Sequence, residues 1–212
     1  MSQILYLNIG MPELHHWNGK TEQSAIKKKG VSEAFLTKEG FQGDGVAAAE
    51  FHGGPDRAVC FYPAEHYTQW TNEFGMPLHP PSFGENISAD GLKEADVYIG
   101  DIYRFGNALI QVAQGRIPCS KISKNNEIEG LLKRVVETGF TGYFFRVLEE
   151  GKIYADSRIS LLERSKDSFT ILEANEVFFR RRSDYEAIQQ LLEVKGLAMA
   201  WRVHLNNLMQ KN

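Results

Sequence analysis

The spacing of apolar residues changes from a period of two to a period of 3.6 near Ser165, and this change divides the chain into two regions. Up to about Arg164 the sequence consists of short strand-like runs separated by glycine, namely ILYLNIG, VSEAFLT, DVYIGDIYRFG, ALIQVAQ, GYFFRVLEEGKIYA and ISLLE. Short strands at close spacing are typical of a barrel or a sandwich. We therefore predict a mainly β domain at 1–164 and a small three-helix C-terminal domain at 165–212, with helices at about 171–182, 184–195 and 198–210.

Two helices are predicted to interrupt the β region and to pack on its periphery. The segment PAEHYTQWTNEF, at 63–74, places three aromatic residues on nearly one helical face: Tyr67, Trp70 and Phe74. The second helix is predicted to begin at Asn126, which would cap it with Glu129 three residues later, and to end at Gly139.

Shorter signals predict a turn and two helix starts. Glu150 and Gly151 fall between two β-rich stretches, which indicates a hairpin. Capping-box patterns occur at 170–173 and at 183–186, in front of the first two C-terminal helices.

Composition and the lack of several motifs exclude broad functional classes. The 24 Lys and Arg against 27 Asp and Glu give a net charge of -3, so nucleic-acid binding is not favoured. The first residues lack the basic region of a signal peptide, and no apolar run approaches the roughly 18 residues of a membrane span, so we expect a cytoplasmic protein with no membrane partner. The sequence contains no GxxxxGK[ST], strand-borne GxGxxG, HExxH or GxSxG motif, which leaves nucleotide-loop, zincin and serine-hydrolase functions without support.

The chain has two cysteines in different surroundings. Cys119 lies in QGRIPCSKI, after a turn-forming Pro118 and close to Arg116 and Lys121, and nearby cations make a thiol more reactive. Cys60 lies in the apolar run AVCFY and is predicted to be a core residue. The residues alone leave Cys119 open between a reactive thiol and a small buried hydrophobe. Two thiols cannot form a four-cysteine zinc site or hold an iron–sulfur cluster by thiolates alone.

Two glycine-containing turns are candidate binding elements. In FHGGPDRAV the turn can present backbone N–H groups, His52 and Arg57 to an anion, although a plain loop with Asp56 paired to Arg57 or capping a turn explains the same residues. In SFGENIS, Gly84 permits a tight backbone and 85–86 offer polar contacts.

Taken in order, Lys28, GFQGD, FHGGPDRAV, PAEHYTQW, FGEN, YIGD and QGRIPCSK resemble the motifs of the MOSC family, which is named for the C-terminal domain of molybdenum-cofactor sulfurase. More narrowly they resemble its YiiM-like branch, which carries a C-terminal three-helix extension. The resemblance covers nearly the whole chain. It implies a MOSC β-barrel similar to the barrel domain of pyruvate kinase, and a cysteine, at Cys119, that is a sulfur carrier or a molybdenum ligand.

The resemblance also implies a set of cofactor-binding positions, to which we add Lys121 for its charge beside Cys119. The set is Lys28, His52, Gly53, Gly54, Asp56, Arg57, Phe83, Gly84, Glu85, Asn86, Gln114, Arg116 and Lys121. Two positions depart from the family pattern. Phe51 replaces the first of two histidines, which argues against a role for paired imidazoles, and Gly115 replaces a proline, which is expected to loosen the loop that holds Arg116.

Together with these residues, the resemblance implies a molybdenum-cofactor-binding oxidoreductase with Cys119 as metal ligand, reducing N-hydroxylated small molecules as some MOSC proteins do, with electrons from a separate reductase. A Cys119 persulfide carrier is the alternative with the same pocket; pyridoxal phosphate is not expected, because the chain has no length for the domain that binds it. Two further hypotheses are a helix-turn-helix DNA-binding regulator using 184–195 and 198–210, and a metal-free thiol hydrolase using Cys119 and His52. The oligomeric state stays open, a homodimer included.

Overall fold

A computed structural model describes residues 2–48, 53–165 and 168–210, and across these residues the chain forms thirteen β-strands and six α-helices. The strands are β1 (Ser2–Ile9), β2 (Glu13–Trp17), β3 (Lys20–Ser24), β4 (Lys29–Gly30), β5 (Glu33–Thr37), β6 (Gly40–Phe41), β7 (Val59–Pro63), β8 (Ile87–Ala89), β9 (Ile102–Phe105), β10 (Ala108–Gly115), β11 (Tyr143–Glu149), β12 (Gly151–Tyr154) and β13 (Arg158–Glu163). The helices are α1 (Glu65–Phe74), α2 (Lys121–Asn126), α3 (Leu131–Thr138), α4 (Ile171–Phe179), α5 (Tyr185–Glu193) and α6 (Met199–Met209), and Pro55–Arg57 form a 3-10 turn.

Seven of the strands close into a barrel in the order β1-β13-β9-β10-β11-β7-β8, with β8 pairing back to β1. The closing contact pairs Ser2 with Ile159, and β7 and β8 run parallel. Closure leaves no free barrel edge, which suits the many short strands of the sequence. β4 pairs with β1 outside the ring, β5 pairs with β6 and β12, and β2 and β3 form a separate hairpin. The prediction of a mainly β barrel with peripheral helices is confirmed.

Alternating residues of the strands fill the barrel. Along β10, Ala108, Ile110 and Val112 are fully buried. They meet an aromatic group of four fully or almost fully buried rings with centroids 5.0 to 6.4 Å apart: Phe61, Phe105, Tyr143 and Phe145. A second apolar cluster lies outside the barrel, where α1, α2 and α3 cover Tyr62 and Phe83.

The three C-terminal helices are confirmed, and they belong to the same apolar cluster as the barrel interior. Thr170 caps α4 with the expected capping box, since its Oγ1 accepts from the N–H of Glu173 and the Glu173 carboxylate accepts from the N–H of Thr170. Trp201 of α6 is fully buried and stacks on Phe178 of α4 at 4.2 Å between ring centroids. The helices therefore pack against the barrel instead of standing apart from it. In the described part of the chain no helix combines the length and apolar composition needed to cross a bilayer.

Two predicted helix starts and one predicted hairpin were wrong. Asn126 does not cap a helix but ends α2, and Glu127 and Gly130 then take left-handed conformations (φ 54° and 83°) before α3 begins. Gly139 does end α3 as predicted, at φ 76°. α5 is capped by Asp184 and not by Ser183, because the Asp184 carboxylate accepts from the N–H of Ala187.

The turn at Glu150 and Gly151 does not join a hairpin. The strand before it pairs with β10 and β7, whereas the strand after it pairs with β5. The chain therefore leaves the barrel at this turn and enters the small outer sheet. Two adjacent β-rich runs look the same in sequence whether they pair with each other or with distant strands.

Candidate functional site

A cavity lies where the loops around the 3-10 turn, the SFGEN segment and the end of β10 meet. Nine of the predicted site residues line it: Lys28, Gly53, Gly54, Arg57, Gly84, Asn86, Arg116, Cys119 and Lys121. His52 lies outside the described residues, so the structure does not place it. The remaining walls come from the segments 24–26 and 39–47, from Ala58 and Cys60 of the loop and strand after the 3-10 turn, and from Ile117 and Phe144.

Arg116 is the central cation of the cavity. Its backbone N–H donates to the carbonyl oxygen of Gly142 (3.0 Å) and its Nη1 donates to the carbonyl oxygen of Phe83 (2.5 Å). Among the described residues no carboxylate forms an ion pair with it. Burial acts to lower the pKa of Arg116, but the charges that Cys60, Cys119 and Glu85 carry once ionised outweigh it, and the pKa is raised. With no carboxylate paired to it, the guanidinium is available to an anion.

Cys119 follows Pro118 and lies two residues before α2, whose first turn is fixed by a hydrogen bond from the N–H of Ile122 to the Cys119 carbonyl oxygen (3.1 Å). The side chain is partly exposed. The neighbouring Lys121 also lines the cavity, but its Nζ donates to the carbonyl oxygen of Gln23 in β3 (2.6 Å). Lys121 therefore ties the β2–β3 hairpin to α2.

Cys60 is a buried apolar residue of β7, as predicted. Its neighbours Val59 and Phe61 belong to the barrel interior, and Cys60 faces the opposite side of β7, where it lines the cavity and joins neither apolar cluster. Burial raises the pKa of the Cys60 thiol, and Arg116 acts in the opposite direction. Both cysteines of the chain thus share one cavity with Arg116.

Lys28 is not a free cation, because it forms a buried ion pair with Asp44. The Asp44 carboxylate also accepts from the N–H of Gly10 and from Nδ2 of Asn86, both at 2.8 Å. Sequence reasoning missed Asp44 as a site residue, although it ends the GFQGD motif. The GFQGD motif was the signal that could have indicated Asp44 as a site residue. The number of charged residues in the sequence cannot show that Lys28 is already paired with Asp44.

The other four predicted residues support the cavity without lining it. Phe83 stacks on Tyr62 at 4.0 Å between centroids, and Gln114 is almost fully buried in β10. Glu85 is fully buried and accepts from the hydroxyls of Tyr67 (2.5 Å) and Ser88 (3.0 Å). Burial raises the pKa of the Glu85 carboxyl, although these hydrogen bonds and Arg116 act to lower it.

Asp56, the fourth of these residues, bonds outside the cavity. Its carboxylate accepts from Nε of Arg146 and from the N–H of Met199 in α6, both at 2.8 Å. Asp56 thus forms an ion pair with Arg146 and caps α6.

The donor set of the cavity suits an anionic cofactor that brings its own metal ligands. Within the described residues no three His, Cys, Asp or Glu side chains are grouped so as to hold a metal ion by themselves. A partly exposed thiol beside an arginine with no carboxylate partner offers instead one soft donor and one anion-binding group. Gly84, at φ 73°, lies so close to Ile26 that a Cβ added to Gly84 would stand 3.1 Å from the Cα of Ile26. Only glycine therefore allows this approach. The residues present fit a molybdenum cofactor, which joins a phosphate to a metal held by sulfur.

Comparisons with known proteins agree with this fold. Residues 48–160 match the model of the MOSC domain, and residues 169–211 match that of the YiiM-like 3-alpha helix domain. The chain belongs to the MOSC family.

More particular relatives lie in the YiiM-like branch. The chain is 42% identical to Protein YiiM of Escherichia coli over 182 residues, which cover 84% of this chain and 81% of the relative. It matches the crystal structure of YiiM from Geobacillus stearothermophilus with a TM-score of 0.83 and 32% identity, over 99% of this chain and 100% of that one. A protein of Gibberella moniliformis named "Reductase" is 33% identical over 184 residues, 84% of this chain but 32% of the fungal protein.

Proposed function

We propose that this protein binds the molybdenum cofactor in the cavity and reduces N-hydroxylated small molecules, with Cys119 as the protein ligand of the metal. The observation that carries the proposal is the shared position of Arg116 and Cys119 in one cavity. A half-buried guanidinium without a carboxylate partner is costly unless an anion or a thiolate compensates its charge. The alternative of a persulfide carrier uses the same two residues.

Each residue has a distinct task in this proposal. Arg116 and Arg57 bind the phosphate, with backbone N–H groups of the Gly53–Gly54 turn as further donors. The Cys119 thiolate binds the metal, and Phe144 and Ile26 form apolar walls that exclude water. The cofactor, when bound, supplies a centre that can exchange two electrons and accept oxygen from the substrate.

Two further observations support an oxidoreductase with an external electron donor. The MOSC family includes proteins associated with the molybdenum cofactor, and a longer relative carries the name "Reductase". This chain has two cysteines, whereas iron–sulfur clusters are generally held by four thiolates. The proposal therefore includes a separate reductase, in the cytoplasm, as the partner.

The test measures molybdenum and released pterin per chain in protein purified without oxygen from cells that make the cofactor. Wild type is compared with Cys119→Ser and with Ser120→Ala, a neighbouring exposed residue whose side chain caps no helix. We expect wild type and Ser120→Ala to carry both components and Cys119→Ser to lose the metal. Wild type without pterin would refute cofactor binding, and a Cys119 persulfide in the same sample, seen by mass spectrometry, would favour the sulfur carrier.

A further inference from the structure

We propose that the C-terminal helices hold the two arginine-bearing loops of the cavity in position, and that Asn175 and Asp56 are the positioning residues. The proposal gives the three-helix region a role in ligand binding. It rests on the proposed function only for the identity of the ligand, because the positions of Arg57 and Arg116 matter for any anion. Two independent contacts, one for each loop, carry the proposal.

The first contact joins α4 to the end of β10. Gly115, the residue before Arg116, is buried and pairs with Tyr143 of β11. A Cβ added at Gly115 would stand 1.9 Å from Oδ1 of Asn175 and 3.2 Å from the Trp201 ring. The departure from the family pattern led us to expect that Gly115 loosens the loop. In the structure Gly115 is instead closely packed. It lets two C-terminal helices approach the backbone that carries Arg116.

Asn175 is almost fully buried and packs against Gly115 at the end of β10. Its Nδ2 donates to the carbonyl oxygen of Gly139 (2.8 Å) and to Oγ1 of Thr141 (2.9 Å), in the segment that leads into β11. The next residue of that segment, Gly142, accepts the backbone N–H of Arg116. One side chain of α4 thus packs against the end of the strand that carries Arg116 and is hydrogen-bonded to the segment that binds the Arg116 backbone.

The second contact joins α6 to the 3-10 turn. Ala198 precedes α6 and provides no side-chain cap, and the Asp56 carboxylate takes that place by accepting the N–H of Met199 (2.8 Å). A carboxylate at a helix N-terminus is favourable both as a hydrogen-bond acceptor and as a charge. Because Asp56 directly precedes Arg57, this bond fixes the turn that carries the second arginine.

α6 also links the two loops to each other. The N–H of Ala198 donates to the carbonyl oxygen of Ala113 (3.0 Å), two residues before Gly115. The start of α6 is therefore bonded to β10 near Arg116 and to the turn that carries Arg57. A shift of this helix would move both cations, and the spacing between them would change.

The first experiment uses a steric substitution and its relief. Gly115→Ala places a methyl group where Asn175 stands, and Asn175→Ala removes the obstacle, so Gly115→Ala, Asn175→Ala and the double variant are compared with wild type. The main readout is the ratio of the Cys119 alkylation rates with iodoacetate, an anion, and with iodoacetamide, which is neutral. The ratio is measured on protein from cells that do not make the cofactor, in which Cys119 is free to react, so it reports the cations around Cys119 without pterin in the cavity. Pterin content is measured on the same variants made in cofactor-producing cells, and thermal stability on both preparations.

We expect Gly115→Ala to lower the ratio and the pterin content about tenfold, the size of effect typical of residues that orient a binding group. Asn175→Ala alone should also lower both, because it removes the hydrogen bonds to the segment 139–141. The double variant should match Asn175→Ala, because its methyl group no longer meets the Asn175 side chain. A folded Gly115→Ala or Asn175→Ala protein with the wild-type ratio would overturn the proposal. If wild type carries no pterin, the cofactor proposal fails while the ratio still decides the positioning role.

The second experiment decides the matter if Gly115→Ala does not fold. Asp56→Ala removes the distant cap of α6, and the matched control Asp184→Ala removes the local cap of α5, where the carboxylate accepts from the N–H of Ala187 (3.0 Å). Both variants lose a helix cap, and we expect a similar loss of thermal stability. Only Asp56→Ala should lower the alkylation ratio, and equal ratios in the two variants would overturn the proposal.

Discussion

Lys28 and Asp44 form an ion pair in the wall of the cavity, with only 5% and 13% of their side chains exposed. The pair neutralises the lysine on which anion binding would otherwise be expected to depend. Arg116, which has no carboxylate partner in the described part of the chain, is therefore the stronger candidate for binding a phosphate. The Asp44 carboxylate also accepts from the N–H of Gly10 and from Nδ2 of Asn86, so it links Lys28 to both of these residues.

Asp44→Asn should destabilise the fold strongly. Removing one partner of a buried pair leaves an uncompensated charge and typically costs about 3–5 kcal/mol. The control is Glu33→Gln, which breaks the exposed pair between Glu33 and Lys152 (48% and 41% exposed side chains), and exposed pairs contribute about 0–1 kcal/mol. Urea unfolding of both variants measures the difference, and an Asp44→Asn protein no less stable than Glu33→Gln would contradict the buried-pair interpretation.

The two cysteines should react with iodoacetamide at different rates. Cys119 is partly exposed, whereas burial raises the pKa of Cys60 and keeps its thiol protonated at neutral pH. At pH 7 we expect labelling of Cys119 first, and labelling of Cys60 to accelerate as the pH rises above the usual thiol range. Mass spectrometry of the labelled peptides measures both rates, with urea-unfolded protein as the control in which the difference vanishes. Equal rates in the folded protein would show that Cys60 is accessible.

The sequence could predict the barrel, the three C-terminal helices and nine of the residues that line the cavity. Short alternating runs set the strand class, and the box at Thr170 and Glu173 is a local pattern whose hydrogen bonds form within one turn. The cavity residues were predicted from the order of the motifs, since their individual patterns were weak. Motif order carries information on long-range contacts that no single motif contains.

The parts that could not be predicted depend on contacts distant in sequence. Cys60 sits in an apolar run, yet the direction of its side chain depends on which face of β7 turns toward the barrel interior. Asp56 caps a helix that begins 143 residues later, and Asn175 fits against a glycine of β10. The wrong start at Asn126 has a local cause, because Asn and Glu three residues apart form a capping pattern even where the backbone turns left-handed.

Glu85 should make stability depend on pH. Burial raises the pKa of this carboxyl in the folded protein above its usual value of 4.5. A raised carboxyl pKa means that the folded state holds the proton more tightly than the unfolded state, so its contribution is fully present below pH 4.5 and is lost as the pH rises through the folded pKa. Urea unfolding of wild type and Glu85→Gln between pH 4 and pH 8 measures this contribution as a difference.

We expect the unfolding free energy of wild type to fall relative to that of Glu85→Gln as the pH rises. Any fixed cost of the substitution, such as a mismatched hydrogen bond to the N–H of Phe83, shifts the whole curve and does not change its slope. A difference that stays constant with pH, or that rises, would contradict a raised pKa for Glu85.

Lys121→Met should loosen the β2–β3 hairpin, because the Lys121 ammonium binds the carbonyl oxygen of Gln23. The hairpin continues into Ser24 and Ile26, which line the cavity, so its opening should also speed alkylation of Cys119 by neutral iodoacetamide. Hydrogen exchange of the β3 amides and the alkylation rate measure the two effects. The control is Lys133→Met on α3, whose side chain is 78% exposed and pairs within its own helix at 3.7 Å. If Lys121→Met and Lys133→Met give the same hydrogen-exchange rates for the β3 amides, Lys121 does not hold the hairpin. The Lys121 charge then acts on the cavity directly.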